Sequence, residues 1–106
     1  MSPEEARTLM MEWVESEALR THMECVAACM YSYCTGDAQE RNRWAVAGLL
    51  HDFDYQRHPS VEEHPFVGVK YLRSNTDVCE EVIEAILGHA TYTGVNRTTD
   101  MAKTLF

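Results

Sequence analysis

Trp44-Ala45-Val46-Ala47-Gly48-Leu49-Leu50-His51-Asp52 is the stretch on which the reading of this chain turns. Seven consecutive residues that are apolar on every face of a helix predict a central, enclosed helix rather than a surface one. The run then closes on an imidazole and a carboxylate. A carboxylate at the electronegative end of a buried helix is disfavoured by the dipole and by loss of hydration unless a cation compensates it. A divalent metal at His51 and Asp52 is the simplest such cation.

Upstream, Ser2-Pro3-Glu4-Glu5 reads as a helix start, with Ser2 as cap, Pro3 at the first position and two acids at the positive dipole end. That helix should reach about Val14. A second, from about Ser16 to Cys34, carries Leu19, His22, Met23, Val26, Met30 and Tyr33 at three-and-four spacing and stops at Thr35-Gly36-Asp37. Downstream of the central helix, Phe53 to Ser60 reads as a loop. Pro65 then opens a helix to about Ser74 and biases His64 towards an extended conformation. Asp77 is the expected cap of a fifth helix bearing Val78, Val82, Ile86 and His89, and a sixth begins near Thr99-Asp100.

Composition agrees with an all-α fold. The 106 residues hold five Gly and three Pro, 45% are hydrophobic and 25% charged, which describes one small domain with a single core. A formal charge of -8 without a compensating basic cluster argues against duplex nucleic acid as a partner. Neither a signal-peptide pattern nor an apolar run of about 18 residues occurs, so no membrane partner and a cytoplasmic location are expected. Cys25, Cys29 and Cys34 share one helix and form no CxxC pair, so the four cysteines read as small buried hydrophobes rather than disulfides.

Four of the five histidines lie on or beside apolar faces: His22 with Leu19, Met23 and Val26; His51 with Trp44 and Ala47; His64 with Val67, Gly68 and Tyr71; His89 with Val82 and Ile86. One such histidine is an ordinary core residue. Four, with an adjacent acid, read as a metal cluster. Neutral imidazoles with a carboxylate suit Mn, Fe, Zn, Co or Ni, whereas magnesium prefers oxygen. His58 belongs to no apolar face and falls outside the set. Asp54 is a candidate for positioning water or accepting a proton, and Arg43, Arg57 and Lys70 for holding a substrate anion.

The ordered set His22, His51-Asp52, His64-Pro65-x-x-Gly68 and Gly88-His89, with Gly94 following, resembles the HD superfamily of metal-dependent phosphohydrolases, from about residue 15 to the C-terminus. The resemblance implies an HD-like bundle of five to six helices over residues 1–106. It implies one or two divalent transition metals: one held by His22, His51, Asp52 and a final Asp, the other by Asp52, His64 and His89. That final Asp would fall beyond Phe106, on a helix for which Asp100 is too early, so C-terminal helices are expected to be lacking. The implied activity is hydrolysis of a small phosphomonoester or phosphodiester, a nucleotide among the candidates. The alternative is a non-catalytic HD-like module or fragment that binds metal or nucleotide and forms a homodimer through Leu105 and Phe106.

Overall fold

The computed structural model describes all 106 residues. Six α-helices follow one another: α1 (Pro3–Trp13), α2 (Glu17–Tyr33), α3 (Ala38–Leu50), α4 (Phe66–Asn75), α5 (Glu80–Gly88) and α6 (Asp100–Leu105), with one 3-10 turn at Thr91–Thr93. There is no strand, and no helix is long and apolar enough to cross a membrane. Local chemistry sets most starts. Ser2 and Glu5 form a reciprocal capping box on α1, while Ser16, Asp37 and Thr99 accept from backbone N–H groups at the starts of α2, α3 and α6.

α3 is the axis of the bundle. Every residue from Trp44 to Leu50 is buried, and the helix packs against α1, α2, α5 and α6. The core around it is completed by Met10, Met23, Met30, Phe53, Leu72, Ile83, Ile86 and Met101, all fully enclosed. Burying a side chain of this size contributes about 1.5–3 kcal/mol before chain entropy is charged against it. The α2/α3 crossing is exceptionally tight at Gly48, where an added Cβ would lie 2.6 Å from Ala27 Cα and 2.7 Å from Ala27 N. These are backbone atoms and cannot rotate aside.

Several local expectations give way to tertiary packing. Asp77 does not cap α5; its carboxylate pairs with the Met1 ammonium at 2.9 Å, and α5 starts three residues later behind Cys79. Only Cys34 is buried, whereas Cys25, Cys29 and Cys79 are exposed. The reason is register: Met23, Ala27 and Met30 form the buried face of α2, which turns Cys25 and Cys29 outward. Tyr33, on the same expected face, is exposed as well. His64 is not extended but lies in a turn, its N–H donating to Ser60 O at 2.8 Å, and joins Pro65 through a cis peptide bond.

Gly48 supplies a test in which propensity and packing oppose each other. Alanine is favoured over glycine in a helix interior by about 1 kcal/mol, yet here its methyl would overlap the α2 backbone. Gly48→Ala should therefore destabilise the protein by about 1–3 kcal/mol in urea denaturation, the usual cost of overpacking. A neutral or stabilised variant would show that α2 and α3 are not held at this distance.

Candidate metal centre

The centre is assembled by the C-terminal ends of two helices. His51 follows the last residue of α3 and His89 the last residue of α5, and each turns its Nδ1 back onto a carbonyl three residues earlier. His51 Nδ1 donates to Gly48 O at 2.7 Å, and His89 Nδ1 to Ile86 O. Each bond satisfies a carbonyl near the end of its helix. It also fixes the tautomer: the proton sits on Nδ1, leaving the Nε2 lone pair to face inward.

What Nε2 faces in both cases is Asp52. Its Oδ2 lies 3.1 Å from His51 Nε2 and 3.2 Å from His22 Nε2, while Oδ1 lies 3.0 Å from His89 Nε2 and 3.1 Å from His64 Nε2. His22 reaches in from α2, and its Nε2 is 3.0 Å from that of His51. Two triads result, His22–His51–Asp52 and Asp52–His64–His89, each compact enough to hold one metal ion. The carboxylate belongs to both, one oxygen to each.

Asp54 holds the second triad from behind. Its carboxylate is almost completely buried, with Oδ1 2.6 Å from His64 Nδ1 and Oδ2 accepting from Gly68 N at 2.8 Å. Gly68 is required for this approach, since a Cβ there would come within 2.9 Å of Asp54 Cγ and 2.8 Å of Phe53 Cε1. The carboxylate–imidazole pair orients His64 as outer carboxylates commonly orient metal-ligating histidines. Tyr92, in the turn after His89, adds a hydrogen bond from its hydroxyl to His64 O at 2.5 Å.

Electrostatics follow from this crowding. Burial opposes charge on Asp52, but the imidazoles of His51, His64 and His89, when a second proton on Nε2 makes them cationic donors, together outweigh it and hold the carboxyl far below the usual carboxylate range. Burial likewise opposes charge on His64, but its bonds to Asp52 and Asp54 prevail and push its pKa up to about 9. The donor set fits a divalent transition metal in each triad. With Nδ1–H of His51 and His89 spent on carbonyls, lone pairs would confront the carboxylate unless a proton or a metal cation stands between them.

The five residues expected as ligands, His22, His51, Asp52, His64 and His89, come together; of the other candidates only Asp54 lies against the cluster, behind His64. Asp54 has both oxygens engaged inside the protein. Arg43 is on the surface 3.8 Å from Glu81. Arg57 lies over the Trp13 ring at 4.5 Å and donates to Glu12 O. Lys70 is exposed on α4 in a groove with Phe66, Arg73 and Leu87. Asp100 is exposed and belongs to neither triad. His58 pairs with Glu63 at 2.9 Å. Tyr55 and Tyr92, which flank His64, were not singled out from the sequence, because isolated loop tyrosines carry no spacing signal.

A family model described as HD domain matches residues 19–101, a span that contains both triads. No curated protein matches the chain, and no solved structure does so. With His22, His51-Asp52, His64 and His89 in order within the matched span and converging on one carboxylate, the chain belongs to the HD domain family, part of the HD superfamily of metal-dependent phosphohydrolases.

Proposed function

We propose that the protein is a dinuclear metal-dependent phosphohydrolase acting on a small phosphoester. The observation that carries this reading is the division of Asp52: Oδ2 serves His22 and His51, and Oδ1 serves His64 and His89. A carboxylate shared in this way would hold two cations side by side, an arrangement suited to an in-line displacement at phosphorus. Bound there, two divalent cations would supply Lewis acidity to phosphate oxygens and a water of lowered pKa as nucleophile.

The protein contributes rigidity and orientation. Helix ends fix His51 and His89, so neither imidazole has to reorganise when a phosphate arrives. Asp54 acts through His64 and is a positioning residue in this scheme, not the general base. His22, from a different helix, closes the first triad on the solvent side, its side chain 48% exposed against 5% for His51.

Metal stoichiometry tests the scheme directly. The purified chain should take up two Mn or Co ions; Asp52→Ala should lose both, while His64→Ala should keep one. Phosphoester hydrolysis should disappear in Asp52→Ala and His51→Ala. A folded, metal-loaded sample that cleaves no member of a phosphomonoester and phosphodiester panel would overturn the catalytic reading. Asp54→Asn should weaken uptake of the second ion alone, by about 10–100-fold, as read in a cobalt titration.

The raised pKa of His64 gives a signed prediction for the metal-free protein. A group whose folded pKa, about 9, exceeds its ordinary 6.5 contributes stability that is fully present below pH 6.5 and lost as pH rises through about 9. Chelated protein should therefore lose Tm between pH 7 and pH 10 through this group. Metal-saturated protein should not follow that decline, because metal binding requires His64 Nε2 without its proton. Parallel pH profiles for the two forms would contradict the assignment.

A further inference from the structure

Among the five hollows of the surface, the one lined by Ser16, Ala18, Leu19, His22, Tyr55 and Gln56 alone includes a member of the metal cluster. Its volume is about 430 Å³, within the range of small-molecule sites. It opens on the side where the cluster itself meets solvent: His22 is 48% exposed, whereas Asp52 is 20%, His89 14%, His64 7% and His51 5%. A phosphate approaching the two triads from this side brings the rest of its molecule into this groove.

The walls are neutral. Leu19 and Ala18 supply an apolar side from α2, and the half-exposed Tyr55 ring supplies another, standing edge-on to the His64 ring at 5.3 Å between centroids. Gln56 Oε1 accepts from Glu15 N at 3.1 Å and Ser16 N at 2.9 Å, which ties the groove floor to the start of α2. Its amide nitrogen makes no hydrogen bond inside the protein and can donate to a neutral polar substituent. The chain neighbours of the lining residues carry both signs: Glu15 and Glu17 beside Ser16, and Arg20 and Arg57 beside Leu19 and Gln56, with both arginines engaged on backbone carbonyls. Arg43 and Arg57 are engaged at other places on the surface, and Lys70 lines a different hollow on α4.

We infer that this groove is the site for the organic group of the substrate, and that it selects a phosphomonoester whose organic part is uncharged and ring-sized, against substrates carrying a second phosphate or another anion. The inference rests on the hydrolase reading for the place of the phosphate. A phosphate bound between the triads is neutralised by cations there, and Leu19, Ala18 and Tyr55 gain by covering apolar surface. A second anion in the groove would instead meet neutral lining residues that offer it no cationic partner.

Non-hydrolysable phosphonates separate this inference from catalysis. After metal content is established, calorimetric titration of metal-loaded protein should show phenylphosphonate binding about tenfold more tightly than methylphosphonate and than 4-phosphonobenzoate, whose carboxylate would enter the groove. Tyr55→Ala should remove most of the advantage over methylphosphonate with metal stoichiometry unchanged. Leu19→Lys should raise affinity for 4-phosphonobenzoate, a gain that misfolding cannot mimic. Equal affinities for the three phosphonates, or a preference for the anionic one in the unaltered protein, would overturn the groove. Should these affinities hold while no phosphoester is cleaved, the hydrolase reading fails and the groove stands.

Discussion

Everything around the centre depends on one buried carboxylate. Four imidazole Nε2 atoms approach the Asp52 oxygens at 3.0–3.2 Å, two to each oxygen. Such an arrangement is electrostatically unstable if the imidazoles are neutral and the space between them is empty, because lone pairs face lone pairs. It is coherent with protons or metal cations as the shared positive charge. The same crowding explains why Asp52 stays ionised against the cost of burial, and why His64, wedged between Asp52 and Asp54, holds a proton to high pH.

The fold meets this demand by rigid placement. Gly48 lets α3 lie directly on the α2 backbone, one turn before His51 and alongside the helix that brings His22. The ends of α3 and α5 are used as fixtures: free carbonyls take up Nδ1–H of His51 and His89 and orient both rings. His64 has no helix end to hold it. Its orientation comes from Asp54, from Gly68, which lets Asp54 approach, and from the Tyr92 hydroxyl on its backbone. Three different local devices thus serve one geometric purpose.

In the proposed function, charge and shape would divide the labour of recognition. Cations held by the two triads would concentrate the attraction for phosphate in one place, within a chain whose net charge is -8. The groove beside His22 adds neutral, partly aromatic surface with a hydrogen-bond donor in Gln56. On the proposed reading, such a site would bind one phosphate and distinguish substrates by what is attached to it.

The sequence by itself determined the all-helical class, the burial of Trp44 to Leu50, and the five ligand candidates, because apolar periodicity and an acid at a buried helix end are local patterns that need no partner to be read. Capping chemistry was legible for Ser2, and the helix starts near Ser16, Asp37 and Thr99 were legible to within a residue or two. Asp77 was misread as a cap because the Met1 ammonium, its actual partner, comes from the far end of the chain. Cys25 and Cys29 turn outward because the rotation of α2 is set by how it seats against α3. Only the tertiary structure decided that Asp54 faces inward to His64, that Arg43 and Arg57 are engaged away from the centre, and that the two Asp52 oxygens serve separate triads. Each of those facts joins residues far apart in sequence, and long-range proximity leaves no periodic trace along a single chain.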